Sequence, residues 1–392
     1  MLRYNRRFHL YLIRVAFTSF AFSLYVLVIP VFAYLYSGSL IFTGLVMFAQ
    51  YGTYTLTFLT GSIIDRIRNK RAVFVGSYGT TAIIALFLAI MISLNLLTPS
   101  ILIISVALMA MSDNFAWTAG HTVLPLIVEK DDFFRASGYA HLISGTHAIG
   151  GFAVAGLILI FIGNIDSIFL YSFTMGIAAF ISLFISLKST QSENGTNSSL
   201  VGGWKYIMQN HRSLAWLAVY LSIVSFFGLA PMVIILKATE GSVWYVILYA
   251  SFMVGGSVAG PLMGALNPRR KIGYWILIWA ITYALMIIIS TYLFPYMIME
   301  IFLWIIAGVS FDSCIMLFNV YLQGSVKADF LGRTASSLYT FRGISIAIGA
   351  LVIPYIVVTV GITTTGILAF VLIVPVSLVI LATGKYLKGI NF

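Results

Sequence analysis

Twelve stretches of this chain are long and apolar enough to cross a hydrocarbon layer, and that feature leaves few folds open. By length and hydrophobic continuity they fall at about 10–36, 40–64, 72–96, 100–128, 136–162, 167–187, 213–236, 243–266, 272–293, 296–322, 334–360 and 363–387. Roughly 20 helical residues span a bilayer core, and inside hydrocarbon a helix is favoured because it hydrogen-bonds its own backbone. Twelve spans and their connections use up the 392 residues, so no sizeable soluble domain fits. The expected fold is an all-α membrane protein of twelve transmembrane helices.

Charge placement orients these helices. Only 8% of the residues are charged, where a soluble domain carries about 25%. A net charge of +11 would suggest nucleic acid as partner of a soluble chain, but here the cations collect between particular spans. With the amino terminus in the cytoplasm, the inward segments hold nineteen Lys and Arg, whereas the outward segments hold Lys237 alone. Such an excess marks cytoplasmic loops. Both termini are therefore expected on the cytoplasmic side of a plasma or inner cell membrane, with lipid rather than nucleic acid as partner. The first run is too long for a cleaved signal and lacks its small-residue site, which makes it a retained helix.

The longest polar stretch, 188–212, carries an amphipathic piece around Trp204, Tyr206 and Ile207 and suits a flexible linker with an interfacial helix. It separates a six-helix bundle at 1–187 from another at 213–392. A shift of 199 residues superposes Asp113 on Asp312 and Gly150 on Gly349. Weak internal repeats of this kind are expected of transporters whose two pseudo-symmetric halves enclose a central site.

Those two aspartates are the leading site candidates. Asp113 stands about thirteen residues, ~20 Å, from the outer end of the fourth span, and Asp312 takes the same depth in the tenth. A carboxylate there costs on the order of 2.5–3.5 kcal/mol on insertion scales. Two readings stand: proton exchange or a cationic ligand, against a protonated carboxyl tied to a neighbour such as Asn114 or Ser313. His121 and His147 are candidates for a proton relay and equally for ordinary hydrogen-bonded histidines. Trp117, one turn from Asp113, and Phe226 with Phe227 are candidates to line a cavity for an aromatic or apolar ligand, as is Asn114. Arg14 is expected to reach back to the interface as an anchor, Arg342 to pair with Asp65 or a carboxylate of the turn at 129–132, and Glu300 to sit at a wet outer mouth. No metal-ligand spacing, nucleotide loop or nucleophile triad is present, so no cofactor, ATP-driven pumping or hydrolysis is expected.

The charged turn Gly61, Asp65, Arg66, Arg68, Lys70, Arg71 resembles the signature loop between the second and third helices of the major facilitator superfamily. Leu124-Pro125 before an acidic turn and Asp329 to Arg333 before the eleventh helix extend the resemblance over nearly the whole chain. Arg68 stands where the superfamily usually has glycine, a departure shared with its macrolide-efflux-like drug exporters, the most similar branch. The run Gly145 to Gly156 resembles the glycine-rich antiporter motif, with Gly151 where proline is usual; small-residue packing explains the same glycines. The resemblance implies that helices one, four, seven and ten line the cavity. It also implies a cytoplasmic gate involving Asp65, Arg66, Arg68, Arg333 and Arg342.

The sequence thus reads as a monomeric secondary transporter, not an enzyme, exchanging a proton for an amphipathic small molecule on its way out. An importer, a lipid or lysophospholipid translocator, and a non-transporting sensor or scaffold are the alternatives. In the second half Asn267 replaces the loop carboxylate, so Asp65 is expected to carry most of the closed-gate preference. Such a contact is worth about 0.3–2 kcal/mol. Asp65→Asn should increase the inward-open population and Asn267→Ala should do much less, as read from spin-label distances at the cytoplasmic ends of the second and eleventh helices. The opposite ranking would remove the asymmetric gate.

Overall fold

The computed structural model describes residues 6–67, 69–128, 133–161, 164–185, 205, 208–266, 272–294, 296–326 and 328–383. Among them the secondary structure is helical throughout. The order is α1 (Arg6–Ser37), α2 (Leu40–Tyr51), a 3-10 turn (Gly52–Leu56), α3 (Thr57–Arg66), α4 (Lys70–Ser93), α5 (Pro99–Ile127), α6 (Phe133–Phe161) and α7 (Asn164–Leu183). Then come α8 (Arg212–Phe226), a 3-10 turn (Phe227–Leu229), α9 (Ala230–Thr239), α10 (Val243–Leu266), α11 (Ile272–Leu293), α12 (Met297–Ser325), α13 (Ala328–Val360) and α14 (Ile362–Thr383). Eleven helical stretches among the described residues are long and apolar enough to cross a membrane. The linker expected at 188–212 lies almost wholly outside the described residues.

The second apolar run, 40–64, is not among those eleven. Residues 40–66 are helical from end to end, but a 3-10 turn divides α2 from α3. Three threonines account for the tightening: Thr53, Thr55 and Thr57 donate their hydroxyls to the carbonyls three residues back, Gln50 at 3.3 Å, Gly52 at 2.6 Å and Tyr54 at 2.8 Å. Side-chain hydroxyls that bond backward compete with the α ladder.

The seventh run breaks for another reason. Pro231 has no N–H to offer the carbonyl four residues before it, that of Phe227, and a proline inside a helix forces a kink or break. The buried hydroxyl of Tyr283 on α11 donates to that carbonyl instead, at 2.8 Å.

Contacts divide the chain into two units, Met1–Phe32 with Leu59–Asn197 and Ala33–Phe58 with Ser198–Phe392. In the first, α6 meets α1 at Gly151, where a Cβ would come within 2.6 Å of the Phe20 carbonyl oxygen. The Ser19 and Ser144 hydroxyls pair at 2.8 Å. Gly145 and Gly150 have nothing within 4 Å, so neither of these two makes a close contact.

In the second unit α13 is the common support of both broken spans. Pro354 takes the hydrogen bond away from the Ala350 carbonyl, and Gly44 of α2 lies directly on that oxygen; a Cβ there would stand 2.6 Å from it. Gly343 meets the backbone of Tyr54 in the first 3-10 turn, and Gly349 meets the Phe226 carbonyl at the second. Elsewhere in this unit α10 and α12 cross with Gly255 against Ile305 and Gly308 against Phe252, each glycine touching backbone of the other helix. Small residues let helix backbones approach where no hydrophobic effect separates protein from lipid.

Adding a methyl at such a contact forces a backbone shift. Gly349→Ala and Gly308→Ala should each lose about 1–3 kcal/mol of stability. Gly76→Ala on exposed α4 surface, with nothing within 4 Å, should gain up to about 1 kcal/mol of helix propensity. Denaturant unfolding in detergent, followed by tryptophan fluorescence, gives the ranking; equal losses at all three positions would refute the backbone-contact account.

Candidate functional site

Asp113 stands on α5 in the first unit and is partly exposed. Its carboxylate accepts two hydroxyl hydrogen bonds, from Thr81 of α4 at 3.2 Å and from Tyr171 of α7 at 3.2 Å. The Tyr171 ring stacks on Tyr25 of α1, centroids 5.3 Å apart, and the Tyr25 hydroxyl donates to the Val106 carbonyl at 3.3 Å. Two helices therefore fix the carboxylate through neutral donors, and α1 braces one of them. Asn114 takes no part in this: it is buried, with its side-chain oxygen 3.4 Å from the hydroxyls of Thr60 and Thr118. Trp117 is 41% exposed.

Arg14 is not the interfacial anchor its position suggested. It is 4% exposed, donates to the Tyr78 hydroxyl at 2.5 Å, and places its guanidinium 4.3 Å from the centroid of Phe74 and 4.6 Å from that of Tyr11. Aromatic faces attract a guanidinium and replace the water it gives up. Tyr78 and Thr81 are three residues apart on α4 and share a face. Through them one helix holds both Arg14 and Asp113.

The second unit treats its aspartate differently. Asp312 on α12 is partly exposed and accepts no hydrogen bond among the described residues. One carboxylate oxygen occupies the space that a side chain on Gly256 of α10 would need. Arg342 on α13 is near enough to act on its charge. Yet Arg342 bonds elsewhere, its Nε donating to the buried Ser225 hydroxyl of α8 at 3.0 Å. Rings surround the pair. Phe311, next to Asp312, packs at 5.2 Å on Tyr283 and at 6.2 Å on Phe252. Phe226 meets Phe227 edge to face at 5.0 Å. Phe227 is 1% exposed and serves as packing, whereas Phe226 keeps part of its surface open.

The remaining sequence candidates separate. His147 is exposed, with Nδ1 2.9 Å from the Ile143 carbonyl oxygen of its own helix. Arg68 and the side chains of Asp65, Arg66, His121 and Arg333 lie outside the described residues. Ser313, named beside Asp312, has a buried hydroxyl with no partner, and Asp113 is held by Thr81 and Tyr171 rather than by Asn114. Glu300 is not at a wet mouth: it is fully buried in the first turn of α12, one oxygen bonded to the Ser290 hydroxyl at 2.6 Å. Sequence reading missed Thr81, Tyr171, Tyr25 and Ser225. The polar run Gly76-Ser77-Tyr78-Gly79-Thr80-Thr81 in an otherwise oily span was the available signal for the first of them. A cleft of about 340 Å³ lined by Ile83, Leu86, Phe173 and Phe180 offers no chemistry, because its Ser172 hydroxyl is bonded to the Ala82 carbonyl.

The family profile described as Major Facilitator Superfamily matches residues 12–350. No curated protein matches the chain by sequence. Among solved structures, an auto-inhibited POT family peptide transporter is similar with a TM-score of 0.77 at 11% identity, covering 98% of this chain and 97% of the other. The nucleoside transporter NupG gives 0.72 at 12% identity over 98% and 99%. A bacterial homolog of the human lysosomal transporter Spinster, in an inward-facing and unoccupied conformation, gives 0.70 at 12% over 98% of each. At such identity the likeness is one of fold.

Because Thr81 and Tyr171 serve the same carboxylate, their contributions should not add. Thr81→Val and Tyr171→Phe are each expected to cost about 0.5–1.5 kcal/mol, and Thr81→Ser much less because the donor is kept. Denaturant unfolding of the singles and the double would show the coupling; strict additivity would mean the two hydroxyls act apart from Asp113.

Proposed function

The chain belongs to the major facilitator superfamily, and from that premise we propose a secondary active transporter that works by alternating access and couples proton movement to the export of amphipathic small molecules. Under this reading twelve spans form two six-helix halves, 1–187 and 213–392, with both termini cytoplasmic, and the protein acts as a monomer in the cell membrane. Outward direction follows the branch-level resemblance of the Gly61–Arg71 loop.

The observation that carries the reading is the pair of carboxylates at matching positions, one in each half. Asp113 suits the proton. Its two partners are hydroxyls, which donate to a carboxylate and, by rotating, accept from a carboxylic acid. Neither state leaves a polar group stranded, so a proton can come and go at low cost. Asp312, with no hydrogen bond among the described residues and a guanidinium nearby, suits the cargo. Beside it, Phe226 of the second unit supplies a partly exposed ring for an amphipathic body.

A growth-inhibition panel comparing cells with and without the protein selects compounds for proteoliposomes carrying an imposed pH gradient. Asp113→Asn should abolish gradient-driven accumulation while leaving exchange partly intact, and Asp312→Asn should weaken ligand affinity. Full accumulation in both single variants and in the double variant would sink the proposal.

A further inference from the structure

Asp312 and Arg342 form an unusual couple. Each is partly exposed within the second unit, and each acts on the other's charge. No hydrogen bond joins them. The carboxylate has no hydrogen-bond donor among the described residues. Among the described residues the guanidinium engages its Nε alone, at 3.0 Å from the Ser225 hydroxyl, which leaves the fork of two terminal nitrogens available. A structural ion pair in an apolar bundle would close on itself, because an unjoined acid and base in hydrocarbon surroundings cost free energy. Here Ser225 fixes the base from one side and Gly256 gives the acid its space on the other.

Two open charges of opposite sign, set on different helices, define a ligand by its complement. A cation satisfies Asp312 and leaves Arg342 unanswered; an anion does the reverse. Only a molecule with both groups answers both, and a polar partner left unanswered in a closed site is a strong source of discrimination. The surroundings add a second requirement. Phe311 is partly exposed and held against the buried rings of Tyr283 and Phe252, and Phe226 is held edge to face by Phe227 beside Ser225. Rigid rings of this kind accept a planar aromatic body.

We propose that the second unit binds zwitterionic aromatic compounds, with the cationic group of the ligand on Asp312 and its carboxylate on the terminal nitrogens of Arg342. This names the substrate class within the transporter reading and rests on it.

Three dyes with related ring systems test the assignment. Rhodamine B carries a carboxylate and a cationic xanthylium core, rhodamine 6G is the ethyl ester of a related rhodamine and keeps only the cation, and fluorescein is anionic. Fluorescence anisotropy with the full-length protein in nanodiscs, after subtraction of empty nanodiscs, should show rhodamine B binding on the order of tenfold more tightly than either of the others. Arg342→Gln should level rhodamine B with rhodamine 6G, and Asp312→Asn should weaken both cationic dyes while raising fluorescein relative to them. The assignment is overturned if the wild type ranks rhodamine 6G or fluorescein level with or above rhodamine B, if it binds none of the three, or if folded Arg342→Gln protein keeps the wild-type ranking. The wild-type ranking decides the matter even where a variant fails to fold. Uptake of rhodamine B by proteoliposomes under a pH gradient is scored separately: its failure with the binding order intact would retire the transporter reading and leave the ligand class standing.

Discussion

Every polar group that a membrane span releases from its own helix must find a partner inside the protein, and both irregular spans here are organised around that requirement. Water is not available to a freed carbonyl in hydrocarbon. In residues 40–66 the hydroxyls of Thr53, Thr55 and Thr57 bond back to carbonyls of the 3-10 turn and of the end of α2 before it. At the seventh span the carbonyl orphaned by Pro231 receives the Tyr283 hydroxyl. Once these partners exist the helices can bend, and once they bend, glycines of α13 can seat against Tyr54 and Phe226. Ser225 and Phe226 stand at the end of α8 because the break follows them, which is what sets the Ser225 hydroxyl against Arg342.

The same requirement applied to charge separates the two aspartates that sequence symmetry had made equivalent. Asp113 is enclosed by neutral donors from α4 and α7. The cation of its unit, Arg14, is occupied by rings and by Tyr78. Asp312 has a cation at hand and no neutral donor among the described residues. Two aspartates that a shift of 199 residues superposes thus have different surroundings, and the surroundings decide the chemistry.

Much of the fold was legible because hydrophobic length is a one-dimensional signal. The approximate places of the apolar helices could be read directly. What the sequence withheld was the identity of partners. An Asp within an apolar bundle demands donors, yet nothing in the chain says that they are Thr81 and Tyr171, 32 and 58 residues away. Arg14 looked close enough to an interface to reach it; three aromatic side chains on two helices enclose it instead. Glu300 sits near a helix end where solvent is the default, but Ser290 across a short turn supplies a hydroxyl and packing covers the rest. In each case tertiary neighbours overrode a reading based on depth along a single helix.

The pairing of α2 with α13 also bears on how the chain is made. Gly44 rests on Ala350, and Tyr54 on Gly343, so partners in one tight interface lie about 300 residues apart in sequence. At roughly 5–20 residues per second of synthesis, α2 waits about 15–60 s for the helix that completes it. Throughout that interval Gly44 and the 3-10 turn at Tyr54 have no α13 to cover them. The second span is therefore a segment that the insertion machinery or a temporary neighbour must shelter, and its residence there sets a lower limit on the time the protein needs to mature.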